Sequence, residues 1–372
     1  MGNHVLQRLR RRAGRGSIGG EETGMAMRGW VAGVLLALAA GVMPAAAQVA
    51  APAAPVPPAR PACREVADLP FLAIDADSAA RLGGIGLDRA AIFAQMHETS
   101  IPETMGCWAM PVGNFDSQLV SVGMAQWNFG TGSLQPLLKA WKQARGGSFR
   151  RARRALMPVY GKLVFSRDCL AVPVKAKCRE KILAAHGSDG KLDPVLWGEF
   201  NALFESDAML QVQLDSYLAL LEGVRQDLLR VFPEGPITRR KVRWAVDTKV
   251  QQGGFPLDED LARLRRKLAA MPEGERWGRL GAIFAWYGAL ARSIDQDGVQ
   301  RDWAWNLDRW QCLLDQRRID PEQYEMLHLT FLRSRTAIGN SGRWQALTFE
   351  RRARIILGVG SVSGKTDGEC LR

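Results

Sequence analysis

The chain has 372 residues, 50 Lys and Arg against 38 Asp and Glu, and a formal net charge of +12. That length allows one large domain or two small ones, and the basic balance favours polyanionic partners. Only four histidines occur, with no Cys-x-x-Cys spacing, so a structural zinc site is not expected and no metal ligand is assigned.

In chain order, the first feature is an address. Arg28 precedes an apolar run from Val31 to Ala40, and Pro44 leads into Ala45, Ala46 and Ala47. A basic start, a short apolar stretch and an Ala-x-Ala end predict a secretory signal peptide over 1–47, cleaved after Ala47. Met25 and Met27 are alternative starts, which would make the Arg-rich residues before them an upstream extension. The run falls short of the roughly 20 apolar residues of a membrane span, so no stable membrane insertion is expected after cleavage. Residues 48–62 are Ala/Pro-rich and read as a flexible spacer. Residues 63–372 form the folded domain. Without 1–47 the chain keeps 44 basic and 36 acidic groups, a net +8.

The six cysteines, Cys63, Cys107, Cys169, Cys178, Cys312 and Cys370, all follow the cleavage site, and an even number after export predicts disulfides. Cys169 and Cys178 close a short loop and pair first; the other four leave three pairings open.

Helical periodicity dominates the folded region. Asp88 to His97 places Ile92, Phe93 and Met96 on one face. Arg150–Arg154 reads as a solvated basic face, with cell-wall docking as the sharper alternative. Ser206 to Phe232 is apolar almost all round and predicts a long central helix, stopped by Pro233 and Gly235-Pro236. Further helices are predicted at 238–252, 258–270, 275–293, 302–318, 321–338 and 349–357. In the helix at 302–318, Trp303 and Trp310 share a face with Leu307 and Leu314, which points to core packing. Between Gly106 and Gly132 the periodicity fails, and Val112–Asp116 with Leu119–Val122 suggests a small hairpin or irregular sheet.

Glu98 follows the first of these helices, at the point where its apolar face gives out. A carboxylic acid half-buried there can hold its proton and deliver it to a leaving oxygen. Glycosidic hydrolysis needs such an acid and usually a second carboxylate across the sugar, and Asp116 stands in the hairpin segment that follows. No nucleophile elbow surrounds any histidine, and Gly130-Thr131-Gly132-Ser133 lacks the Lys-Ser/Thr of a phosphate loop.

Glu98-Thr99-Ser100, followed by Ser121-Val122-Gly123-Met124-Ala125-Gln126-Trp127, resembles the lysozyme superfamily, and most closely its chitosanase branch. Asp116, Ser121, Gly123, Trp127 and Gly130-Thr131-Gly132 continue the likeness, and Ala245–Gly254 resembles a second cleft-wall motif of that branch. The resemblance implies a mainly α, two-lobed lysozyme/chitosanase-like α+β fold with a long central helix and a small β-hairpin or sheet. It implies Glu98 as general acid, Asp116 as general base and Ser121 as a holder of the attacking water. Thr99, Gln126, Trp127, Asn128, Asp247 and Gln251 would contact substrate, and no cofactor is required.

Gln126 and Asn128 depart from the chitosanase pattern, which has Gly and a small or apolar residue there. Chitosan is a polycation, and the basic charge favours peptidoglycan as the polysaccharide partner. Nucleic acid is not expected as a partner, and no protein partner is assigned. The expected activity is cleavage of β-1,4 bonds in an amino-sugar polymer, peptidoglycan before chitosan, by a periplasmic or secreted enzyme. The composition fits a Gram-negative bacterium. The alternative is a non-catalytic peptidoglycan-binding or scaffolding protein with a lysozyme-like fold.

Overall fold

The computed structural model describes residues 63–114, 117–256, 258–294, 302–337, 341–362 and 365–370. The expected signal peptide and spacer over 1–62 lie outside these residues, as do Phe115 and Asp116.

The described chain is mainly helical. Its first half contains α1 (Ala76–Gly83), α2 (Arg89–Thr104), α3 (Leu134–Arg145), α4 (Phe149–Leu156), α5 (Gly161–Val164), α6 (Ala176–Leu183), α7 (Pro194–Phe204) and α8 (Asp207–Val231). The second half contains α9 (Arg239–Gln252), α10 (Asp258–Ala269), α11 (Glu273–Ile294), α12 (Trp303–Asp315), α13 (Pro321–Ser334) and α14 (Gly342–Leu357). Two antiparallel hairpins complete it: β1 (Ser121–Val122) with β2 (Trp127–Asn128), and β3 (Gly360–Val362) with β4 (Lys365–Asp367). No described helix is long and apolar enough to cross a membrane.

The long helix α8 is the axis of the first half. Leu210, Leu214, Tyr217, Leu221, Val224 and Leu228 are buried along it, and it packs on α1, α3, α7 and α9. The second half is organised around α14, which contacts α9, α11, α12 and α13. Trp310 is buried between Tyr287, Phe284 and Phe349, the core role its spacing predicts, and its Nε1 donates to the Val359 carbonyl at 2.7 Å.

Local signals explain the boundaries. Asp88 accepts from the Ala91 amide and Thr238 from the Lys241 amide, so both cap helices whose first N–H groups lack internal partners. Asp320 and Gln323 form a reciprocal capping box at α13. Gly253 ends α9 in the left-handed region that an L side chain avoids.

The ends of α12 and α13 fall three and four residues short of expectation, at Asp315 and Ser334, and two boundaries differ by more. Helix α2 does not give out at Glu98 but runs six residues further, through Pro102. Pro102 has no N–H for the Glu98 carbonyl four residues earlier, yet tertiary packing carries the helix across it. Helix α14 begins at Gly342 rather than 349, because Ala346 and Thr348 are also buried.

The disulfides are Cys63–Cys107, Cys169–Cys178 and Cys312–Cys370. The short 169–178 loop pairs as its spacing predicts. The other two resolve the open choice: one ties the start of the domain to the end of α2, and one ties the C-terminal hairpin to α12. Replacing Cys169 and Cys178 by Ser should cost about 2–3 kcal/mol by the loop-closure entropy of so short a loop, read from the urea midpoint of unfolding. An unchanged midpoint would show that the surrounding packing already confines this loop.

Candidate active site

Three helices meet at Glu98. On α2, Gln95, Glu98, Thr99 and Pro102 recur at helical spacing, and on α9 Arg243 and Asp247 do the same. Arg351 and Arg354 of α14 close the third side. Together these side chains line a cavity of about 40 Å³, room for one or two water molecules.

Glu98 is partly exposed, and its Oε1 accepts from Arg243 Nη2 at 2.5 Å. Its Oε2 has no hydrogen-bond partner among the described residues. Arg243 also approaches Asp367 at 3.7 Å, and Arg354 Nη2 lies 2.7 Å from the same carboxylate. The C-terminal hairpin thus reaches back to the cavity through Asp367.

Behind this pair lies a buried ionic cluster. Asp247 accepts from Arg351 Nε at 2.8 Å and from Arg352 Nε at 3.0 Å. Arg351 Nη1 also donates to Glu103 Oε1 at 2.8 Å, which receives Gln251 Nε2 at 2.7 Å. Arg352 Nη1 donates to Gln252 Oε1 at 2.5 Å.

The two neighbouring guanidinium groups respond differently to burial. Burial works against the charge of Arg351, but Asp247 and Glu103 outweigh it and hold this group above its ordinary value. Burial pulls Arg352 down to about 10, because Asp247 offsets only part of the desolvation and Arg351 and Arg333 lie nearby.

Helix α8 brings the two halves of the sequence motif to neighbouring positions. Tyr217 OH lies 2.8 Å from Thr99 Oγ1 beside Glu98, and one turn earlier Gln213 Oε1 accepts from the Met124 amide in the β1–β2 turn at 3.1 Å. Burial holds the Tyr217 hydroxyl above its ordinary value, and the Glu98 charge adds to that shift against the Thr99 hydrogen bond. The β1–β2 turn passes through Gly123 and Gln126 at positive φ, and a side chain on Gly123 would collide with Trp127, Gln213 and Phe204.

Several predicted contact residues have internal partners. Thr99 Oγ1 donates to the Gln95 carbonyl at 2.8 Å in addition to its contact with Tyr217. Asp247 and Gln251 belong to the ionic cluster. Gln126 Nε2 donates to the Met110 carbonyl at 3.2 Å, and Asn128 Oδ1 accepts from the Thr131 amide and hydroxyl at 2.8 Å each. Ser121 and Trp127 are buried, and Ser121 pairs through its backbone with Val112 and Asn128. Asp116 lies outside the described residues. Among the described residues before it, Asn114 accepts from the Leu119 amide at 2.7 Å, and a Cβ on Gly113 would fall 2.1 Å from the Gly190 carbonyl.

Arg243, Arg351, Arg352, Arg354 and Glu103 carry most of the charge here, and motif reading passed over all five. No local signal marked those on α14, because Glu350, Arg351 and Arg354 share one helix face at i+3 and i+4 spacing and read from sequence as an ordinary solvated stripe. No family model matches the chain, and no curated protein or solved structure matches it significantly.

Proposed function

We propose that this chain is an exported glycoside hydrolase that cleaves β-1,4 bonds in an amino-sugar polymer, with Glu98 as the general acid. The observation that carries the reading is the juxtaposition made by α8: Glu98 stands at the cavity, and the Gly-rich β1–β2 turn docks one turn away. The Oε2 of Glu98, which has no hydrogen-bond partner among the described residues, is the oxygen proposed to hold and donate a proton. Oε1 is anchored by Arg243, which fixes the direction in which the acid points. Asp116, which lies outside the described residues, is the proposed base.

Peptidoglycan is the preferred polymer. Among the described residues around the cavity, Arg243, Arg351, Arg352 and Arg354 match Glu98, Glu103, Asp247 and Asp367 one for one, leaving no excess negative charge there for a polycation such as chitosan. A wall-binding protein without turnover is the second reading. The tight Glu98–Arg243 pair and the small cavity favour it, since a working cleft must admit a sugar ring.

The test is incubation of the protein and of Glu98→Gln with purified peptidoglycan and with chitosan, following new sugar ends by mass. The expected result is cleavage of one polymer by the wild type and a loss of about 10²–10⁴-fold in Glu98→Gln. Binding to peptidoglycan without cleavage of either polymer would replace the hydrolase with the scaffold.

A further inference from the structure

The net charge of this protein is not spread over its surface. Residues 139–181 contain thirteen Lys and Arg against Asp168 and Glu180, a net +11. The rest of the chain holds 37 basic and 36 acidic groups and is nearly neutral. Charge segregated in this way is what a surface uses to meet an oppositely charged partner.

These residues run consecutively from the end of α3 through α4, α5 and α6, with α4 packed on α3 and α5 and the loop into α6 closed by Cys169–Cys178. On α4, Phe149, Ala152 and Leu156 turn toward the core, while Arg150, Arg151 and Arg154 stand exposed on the outer side. None of the thirteen forms an ion pair among the described residues. Lys142 and Arg145 lie over Phe149 and Trp141 as cation–π contacts, which leaves their charge uncompensated. Fold stability does not require such a face, since like charges this close repel.

A second observation separates kinds of polyanion. Eight large apolar side chains are strongly exposed among the described residues, and five of them fall between 159 and 197. Val159 is 63% exposed, Val172 57% and Leu183 40%, all within or beside the basic run. The Val159 amide donates to Glu199 of α7, the helix that carries exposed Val195 and Trp197. Aliphatic side chains gain little from a sugar polymer or a nucleic acid backbone. They gain from entering the boundary between headgroups and acyl chains, while neighbouring cations meet the phosphates.

We propose that the α3–α6 face docks the protein peripherally on a membrane surface rich in anionic phospholipid. The cations supply attraction and Val159, Val172 and Leu183 supply shallow insertion. No described helix is long and apolar enough to cross the bilayer, and the docking does not depend on the hydrolase reading, because none of these residues lines the Glu98 cavity.

The experiment is co-sedimentation of the exported protein with vesicles of phosphatidylcholine alone and with about 30 mol% phosphatidylglycerol added. Three proteins are compared: wild type, Arg150→Gln/Arg151→Gln/Arg154→Gln, and Val159→Ser/Val172→Ser. All substituted positions are exposed, and an unchanged melting temperature verifies that each variant is folded. Wild type is expected to sediment only with the anionic vesicles and to be released by salt. The triple variant should bind on the order of 100-fold more weakly, at about 1 kcal/mol per cation. The valine variant should lose roughly tenfold with its salt dependence unchanged. Sedimentation with peptidoglycan sacculi but not with vesicles would overturn the lipid assignment in favour of polymer docking. Vesicle binding that the triple variant retains, or no binding to either material, would also overturn the proposal.

Discussion

Asp247→Asn is expected to destabilise the protein by about 3–5 kcal/mol, because it removes one charge from a buried cluster and leaves two guanidinium groups short of compensation. Asp247 is 7% exposed and holds both Arg351 and Arg352, of which Arg352 is fully enclosed. After the substitution Arg351 retains Glu103, but among the described residues Arg352 is left with neutral acceptors alone, the amide oxygens at 247 and of Gln252. An uncompensated charge in that position costs far more than the pair contributes when intact.

The companion variant is Arg352→Met/Asp247→Asn, which removes the stranded charge and should recover part of the loss. The coupling in this cycle, read from urea midpoints, isolates the pair. A cost below about 1 kcal/mol for Asp247→Asn would show that the carboxylate is not what compensates the arginines, and would return Asp247 to the pool of substrate contacts. The prediction matters for the site because Arg351 and Arg354 line the cavity from the same helix. Loosening α14 from α9 displaces the frame around Glu98 even though Asp247 touches no reacting atom.

Thermal stability is expected to fall as pH rises from about 4.5 to about 8, and Glu350→Gln should remove much of that slope. Burial pushes the Glu350 carboxyl up to about 8, with the charge of Asp302 adding to it against hydrogen bonds from Tyr287 and Asn306. Glu350 sits on α14 against Tyr287 of α11 and Asn306 of α12, so the carboxyl joins three helices. Tyr287 is held well above its ordinary value by its own burial and by the same carboxylate.

Between the two values the folded protein keeps a proton that the unfolded chain releases. The stabilisation is therefore complete below about 4.5 and is lost as pH passes through 8. At about 1.4 kcal/mol per pKa unit the whole span amounts to about 5 kcal/mol. Gln keeps the size and a hydrogen-bond donor without titrating. The melting temperature of Glu350→Gln relative to wild type should rise steadily from pH 5 to pH 9. Parallel melting curves across that range would mean that Glu350 does not change its protonation over this window.

How much of this was legible before folding differs between elements. The long helix α8 could be read because its apolar residues recur at 3.6 spacing over 25 positions, with Pro233 and Gly235 as an unambiguous stop. Helices α9 to α13 could be read for the same reason, and the 169–178 disulfide from the shortness of its loop. Helices α1 and α3 to α7 did not emerge as separate elements, because most are short or dense in Arg and Lys. Helices α1, α3 and α7 pack on α8, and α4 packs on α3 and α7, so their pattern becomes a face only once those neighbours are in place. The hairpin β3–β4 has three residues per strand, too few for alternation to show, and its place is set by Asn306, Trp310 and Cys312 on a distant helix.

At the candidate site, the chain alone was enough to mark Glu98 and the Gly-rich turn after it, since both are local runs with unusual composition. It also pointed to disulfide formation in the even number of cysteines and carried the concentration of charge at 139–181, because composition needs no coordinates. Only the tertiary structure decided which charges face one another. Arg243 is 145 residues from Glu98 and Arg351 is 104 from Asp247, separations over which no sequence periodicity operates. A polar stripe on a helix looks the same whether it meets water or another polar stripe. That difference exists only once three helices have packed and removed the water between them.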